Sequence, residues 1–247
     1  MANLRNLLSR AFLKAAFTVD PPHPHPNVSD DFIMWLCFAN AGMLDNGNLY
    51  LIDHAIQHLP SAAPILEIGS FCGLSANLLT HFKRKHARKN VLVTCDKWEF
   101  ENLDKNNPRV GQSPVLFSDY KSFVRESYLR NIQLFSADDL PFTIEATSAE
   151  FFAAWKARQQ ARDVLARPIA LGGPLSFCYI DGDHGYSGAK QDFLDCDQFL
   201  DPGGFLLFDD STVPAFGVRE LMPEVAATGR YKLVATNPNH LFQKVGT

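Results

Sequence analysis

The chain has 247 residues, 46% of them apolar, and a formal net charge of −4 from 23 basic and 27 acidic side chains. That length suits one α/β domain with a sizeable core, and the mild acidity lacks the basic surplus that nucleic-acid binding needs. No apolar run approaches the ~18 residues of a membrane span, and the cysteines Cys37, Cys72, Cys95, Cys178 and Cys196, lacking CxxC spacing, suggest reduced thiols in a cytoplasmic protein rather than a disulfide or zinc framework.

In chain order, residues 1–18 read as a basic, amphipathic helix without the apolar core and cleavage site of a leader. The segment DPPHPHPNVSDD carries four prolines and reads as a loop. Ser29 is placed to cap a helix over roughly 30–42, and NLYLIDHAIQHL reads as another helix. From residue 64 short apolar runs alternate with helical patterns: APILEIG, SANLLTHFKRKH, NVLVTCD, then after a long middle region LSFCYID, SGAKQDFLDCDQFL, GFLLFDD and VRELMPEVAAT. Apolar strands separated by helices signal a parallel sheet covered on both faces. The last two runs, YKLVAT and HLFQKV, are split only by NPNH, too short for a crossover, and predict an antiparallel hairpin at one side of the sheet. The predicted fold is α/β, a Rossmann-like, mostly parallel seven-stranded sheet with a C-terminal antiparallel hairpin and extra N-terminal helices. Its predicted domains are an N-terminal helical extension over 1–60, serving as cap or dimer interface, and a main domain over 61–247.

The main domain carries an insertion at about 98–146. KNNPRVGQSP reads as a loop, and the residues after it as a helix leading to a short strand near Phe142–Ala146. Such an insertion suits a lid or substrate wall, and Trp98, Phe100, Tyr120 and Phe123 could stack on a ring or simply pack. KRKHARK, over 83–89, reads as a solvated basic helix end.

ILEIGSFCGLSA is a strand, a tight turn and a helix start, with Gly69 and Gly73 spaced G-x-x-x-G. Glycine lets the chain turn sharply and a ligand approach the backbone, and the helix start offers free N–H groups. The dinucleotide fingerprint G-x-G-x-x-G fails at Phe71. Glu67, just before the turn, suits a cationic group better than a pyrophosphate. The next run ends in Asp96, placed to accept hydrogen bonds from ribose hydroxyls. Two further runs end in acids: Asp181 and Asp183 in FCYIDGDHGYSG, Asp209 and Asp210 in LLFDDST. Four carboxylates at adjacent strand ends would repel one another unless a hard divalent cation joined them.

With these residues in view, region 64–247 resembles the class I S-adenosylmethionine-dependent methyltransferases. LEIGSFCGLS is similar to their first motif, TCD to their ribose-binding acid and LDPGGFLLFDD to the turn before their fifth strand. The resemblance implies Glu67, Gly69, Ser70 and Gly73 at the cofactor's methionine end, with Phe71, Ser75 and Asp181 beside them. It implies Asp96 at the ribose, and Ser148 and Ala149 at the adenine. The acid pairs resemble those of the macrocin-type O-methyltransferases, implying Mg²⁺ on Asp181, Asp209 and Asp210 with Asp183 as general base. Catechol-type enzymes, also similar, place the base one residue later, at His184 here. The base is therefore Asp183 or His184. The implied activity is methylation of a hydroxyl on a small molecule of sugar, polyketide or phenolic type, without nucleic acid or membrane as partner and with a homodimer left open. The rival readings are a metal-independent methyltransferase acting on N, O or S, a nicotinamide-type oxidoreductase, and a non-catalytic cofactor-binding protein of the same fold.

Overall fold

A computed structural model describes residues 28–99 and 108–246. The helix expected over 1–18, the aromatic Phe100 and residues 101–107 of the insertion lie outside the described residues. The elements run α1 (Asp31–Ala39), α2 (Asn48–Gln57), β1 (Ile65–Ile68), α3 (Leu74–Lys85), β2 (Leu92–Cys95), α4 (Phe117–Phe135), β3 (Phe142–Ile144), α5 (Ser148–Lys156), β4 (Gln160–Arg162), β5 (Pro168–Ala170), β6 (Leu175–Ile180), α6 (Tyr186–Phe199), β7 (Leu200–Phe208), α7 (Val218–Ala227), β8 (Tyr231–Thr236) and β9 (His240–Lys244).

Seven strands form one sheet in the order β3-β2-β1-β6-β7-β9-β8. The first five are parallel, and β9 runs antiparallel between β7 and β8. This is the predicted fold, hairpin included. Every residue of β1, β2 and β6 is buried because helices cover both faces. One core gathers Leu66, Ile68, Val93 and Cys178 with α5, α6 and α7. The other gathers Ile65, Phe177, Tyr179 and Leu207 with α1, α2 and α3, so the N-terminal helices share the core of the main domain.

Three local expectations change. Asp30, not Ser29, caps α1, its Oδ1 accepting from the Ile33 amide at 2.9 Å. A two-stranded antiparallel pair, β4 with β5, was not expected; its runs, QAR and PIA, are three residues each, too short to stand out in the sequence. Lys83, within the basic run, is buried with its Nζ 2.8 Å from Asp139, so that end of α3 is not wholly a solvated face.

The described part of the insertion is mainly α4, nineteen residues long. It lays Val124, Tyr128 and Ile132 on Cys72, Ala76 and Trp98 and so roofs the glycine loop. Trp98 is packing: it is buried, and its indole N–H donates to the Phe71 carbonyl at 3.0 Å. Phe123 is exposed and Tyr120 half-buried.

Candidate functional site

The strand register sets a polar row within the apolar sheet. Thr143, Thr94, Glu67 and Tyr179 are successive partners across β3, β2, β1 and β6. They lie on one face because side chains alternate along a strand. The Thr94 hydroxyl reaches Thr143 Oγ1 at 3.0 Å and the Tyr128 hydroxyl of α4 at 3.1 Å. At the other end, the Tyr179 hydroxyl donates to Asp209 Oδ2 at 2.9 Å.

Glu67 is fully buried beneath the glycine loop. Its Oε2 accepts from the Ser70 hydroxyl at 2.8 Å, and its Oε1 has no hydrogen-bond partner. Burial pushes its carboxyl up to about 7, although the Ser75 and Ser70 hydroxyls pull it down. A buried carboxylate oxygen left unmatched is costly. It fits a ligand ammonium, which would supply both the missing donor and the opposite charge.

The loop is held open by its own geometry. Gly69 has φ +81°, and a side chain there would collide with the Asp181 backbone where β1 and β6 close together. Gly73 has φ +87°, caps α3 without a side-chain hydrogen bond, and faces the Tyr128 ring. Phe71, at the loop's crest, has φ +43°, a conformation in which a bulky residue is strained. Asp96 ends this strained stretch: its Oδ2 accepts from the Ser70 and Phe71 amides at 2.8 and 2.9 Å, and its Oδ1 from the Trp98 amide at 2.5 Å. Burial raises its carboxyl despite these three donors. Asp96 therefore shapes the glycine loop, a role not expected from the sequence. From the other side, Asn40 and Asn131 donate to the Cys72 carbonyl at 2.9 and 2.8 Å.

Ser148 and Ala149 lie in the first turn of α5, just past β3, where a capping box between Thr147 and Glu150 fixes the helix start. Glu150 also pairs with Lys97 at the end of β2, at 2.9 Å, tying the two strand ends together.

Asp183 parts from the other three acids, and Asp209, though beside Asp181, turns to other partners. Asp181 and Asp210 come together with His184, and one ligand atom from each lies within 4.8 Å of the others. His184 Nε2 is 3.0 Å from Asp210 Oδ2 and 3.9 Å from Asp181 Oδ1. Its ring stacks on Phe216 at 4.6 Å. Burial, followed by the charges of Asp209, Asp210 and Glu67, holds the Asp181 carboxyl well above the usual range. Asp210 sits at φ +51°, a left-handed conformation that asparagine and aspartate tolerate better than most residues.

Asp209 points inward. Its Oδ1 accepts from Asn48 Nδ2 at 2.6 Å and from Asn239 Nδ2, and its Oδ2 from Tyr179. Burial raises its carboxyl, with Asn48 and Tyr179 opposing. Asp183 turns the other way: its Oδ1 accepts from the Gly185 amide at 2.5 Å at the entry to α6, and its carboxylate packs on Gly188. Asp209, expected to complete the metal set, is engaged by Asn48, Tyr179 and Asn239, and Asp183, offered as base, by the nearby Gly185 amide, whereas His184 lies in the cluster. Asn48, Asn239, Tyr179 and Phe216 were missed in the sequence. Two of them sit where only a helix start and a hairpin turn were legible.

The profile of a family described as a methyltransferase domain matches residues 66–211, more than half the chain and all the strand ends just described. The chain belongs to that family. It is a class I, S-adenosylmethionine-dependent methyltransferase by fold and by family. No curated protein sequence matches it. Among solved structures, this methyltransferase is similar to an O-methyltransferase from Bacillus cereus in complex with SAH, at 13% identity and TM-score 0.55, with 95% of this chain and 96% of that one covered. It is also similar to the O-methyltransferase TomG from Streptomyces achromogenes, involved in tomaymycin synthesis and solved with SAM, at 14% identity, TM-score 0.55 and 96% coverage of both chains. The O-methyltransferase NovP is similar at 16% identity and TM-score 0.53, with 82% and 81% covered. At these identities the likeness is one of fold. No helix among the described residues is long and apolar enough to cross a membrane.

Proposed function

We propose that the protein transfers a methyl group from S-adenosylmethionine to a hydroxyl of a small molecule, with a divalent cation, Mg²⁺ in the first instance, held by Asp181 and Asp210. The observation that supports this reading is one juxtaposition. A buried, unpartnered carboxylate oxygen on Glu67 and an acid–imidazole cluster on Asp181, Asp210 and His184 share the carboxyl edge of adjacent strands, where α/β sheets bind their ligands.

When bound, S-adenosylmethionine supplies an electrophilic methyl group on a cationic sulfur, and the divalent cation lowers the pKa of a nearby hydroxyl. The chain's own residues do the rest. Glu67, ionised, binds the ammonium. Ser70, Phe71, Gly73 and Ser75 border the methionine end, and Asp96, Ser148 and Ala149 border the ribose and adenine. His184 accepts the hydroxyl proton, its ring braced by Phe216 and its charge balanced by Asp210. Asp183 braces the turn into α6 through the Gly185 amide and stays out of the reaction. Much of the rate gain comes from holding the two reactants in line. Residues 61–247 form the catalytic domain in this reading, and the preceding helices build its wall.

The contact between His184 and Asp210 favours one second reading. The two already form a dyad able to remove a proton, which would make the cation dispensable. The test is methyl transfer from labelled S-adenosylmethionine to a panel of sugars, polyketides and phenols, with Mg²⁺ and with a chelator. Transfer abolished by the chelator and restored by Mg²⁺ supports the cation. Transfer that survives chelation supports the dyad alone, and no transfer to any hydroxyl overturns the O-methyltransferase reading.

A further inference from the structure

Asp209 and Asp210 are neighbours that face different ways, and one side chain grips the chain on both sides of Asp210. It belongs to Asn239, in the turn between β8 and β9, and it is wholly buried. Its Nδ2 donates to Asp209 Oδ1 and, at 3.0 Å, to Asn48 Oδ1. Its Oδ1 accepts from the Ser211 amide at 3.0 Å. The amide cannot be turned over: a backbone N–H only donates, so an oxygen must face Ser211. Ser211 is equally buried, and its Oγ accepts from the His240 amide at 2.9 Å. The hairpin turn thus holds residue 209 by its carboxylate and residue 211 by its backbone and hydroxyl.

Asp210 lies between these two fixed points, at φ +51°. A residue with a side chain keeps such a conformation only where its surroundings impose it. The turn that follows does not impose it. Its bond runs from the Val213 amide to the Asp210 carbonyl at 3.0 Å, and a turn of this kind is defined by its two central residues, not by its first. With Asp209 drawn inward and Ser211 drawn to the hairpin, the Asp210 carboxylate emerges 3.0 Å from His184 Nε2. The hairpin turn is itself seated firmly. The Asn237 amide donates to the Asn239 carbonyl at 2.9 Å, and Gly47, just ahead of α2, sits so close that a side chain there would collide with the Asn237 carbonyl.

We propose that Asn239 is a positioning residue: by holding the residues before and after Asp210, it fixes the turn that aims the Asp210 carboxylate at His184. Its consequence for cation binding and methyl transfer rests on the function proposed above; the geometry does not.

The test uses the full chain without ligand. Backbone nuclear magnetic resonance reads the conformation at Asp210, because left-handed residues have distinct Cα and Cβ shifts. In the wild type Asp210 should be left-handed and the Ser211 amide should exchange slowly with solvent. A wild-type Asp210 that is right-handed or extended, or a Ser211 amide that exchanges like that of an open loop, overturns the proposal, and neither measurement needs a variant to fold. Asn239→Ala should lose the left-handed signature. Its Mn²⁺ affinity, followed by electron paramagnetic resonance, should fall about tenfold or more, while S-adenosylhomocysteine binding is unchanged. Tyr231→Phe loses a 2.7 Å hydrogen bond to Asp197 at the far end of the same hairpin and should move neither readout. Asn239→Ala with Asp210 still left-handed overturns the proposal, and so does a Tyr231→Phe that disturbs Asp210 as much, since the effect would then be loss of stability alone. A wild type that binds no Mn²⁺ sinks the cation reading by itself; the Asp210 conformation in Asn239→Ala still decides this one.

Discussion

Glu67 Oε2 accepts a 2.8 Å hydrogen bond from the Ser70 hydroxyl, and its other oxygen, Oε1, is buried without a partner. The glycine loop thus grips one side of a carboxylate and leaves the other side for a ligand. Burial governs its pKa, and a pH dependence follows. Burial raises the folded-state value to about 7 from the ordinary 4.5. The stability this group contributes is fully present below its unfolded pKa and is lost as pH rises through about 7, a swing of about 3 kcal/mol. Without cofactor, Glu67→Gln should therefore be more stable than wild type at pH 8 and about equal at pH 4.5, measured by urea unfolding. Binding of an ammonium favours the ionised form, so wild-type binding of S-adenosylhomocysteine at pH 6 should release up to one proton. Calorimetry in buffers of different ionisation heat should detect that proton and find almost none at pH 8.

His184 and Asp183 separate by their contacts. His184→Ala should lower methyl transfer by about 100-fold or more, the usual contribution of a general base, while S-adenosylhomocysteine binding stays within a few-fold of wild type. Asp183→Ala should cost mainly stability, about 1 kcal/mol for the lost turn hydrogen bond to the Gly185 amide, with turnover little changed. Steady-state rates and thermal melts of the two variants check this. A reversed pattern would move the base to Asp183.

Asp96 shapes the loop before it touches any ligand. Its replacement by Ala leaves the Ser70, Phe71 and Trp98 amides without their acceptor, at a cost of about 1–3 kcal/mol for each group left unmatched in the interior. Asp96→Ala should be strongly destabilised, and Asp96→Asn, which keeps one acceptor oxygen, less so. Urea unfolding ranks them. If both match the wild type, the loop does not depend on this residue.

The Asp209 network predicts an effect at a distance. Asn48→Ala removes a 2.6 Å hydrogen bond to a buried carboxylate, which should cost about 1–3 kcal/mol. It should also weaken divalent-cation binding through the neighbouring Asp210, although Asn48 itself is not in that cluster. Mn²⁺ titration followed by electron paramagnetic resonance reads this directly. Unchanged Mn²⁺ affinity would detach Asp210 from the network.

Much of the site was legible because it sits at strand ends. Glu67, Asp96, Asp181 and Asp210 each close or follow an apolar run, and a parallel sheet brings such ends to one edge whatever the loops do. The seven strands and their hairpin were legible for the same reason, since run length and spacing fix them. What was hidden depends on contacts distant in sequence. Asn48 lies 161 residues from Asp209, and nothing local marks it as a partner. Asp209 and Asp210 are adjacent and chemically alike; only the turn at Asp210 sends one inward and the other toward His184. The row Thr143, Thr94, Glu67 and Tyr179 needs the register of four strands, which short apolar runs do not specify. Trp98 was ambiguous because its packing partner Tyr128 comes from an insertion without a motif, and its acceptor in the glycine loop is the backbone carbonyl of Phe71.

The central claim is that the glycine loop and Glu67 bind S-adenosylmethionine. Titration calorimetry of the wild type and of Glu67→Gln with S-adenosylhomocysteine at pH 8 tests it most directly. Binding by the wild type with a Kd on the order of micromolar, weakened at least tenfold in Glu67→Gln, is the predicted result. A wild-type chain that is folded by circular dichroism and gives no binding heat up to millimolar ligand would contradict it.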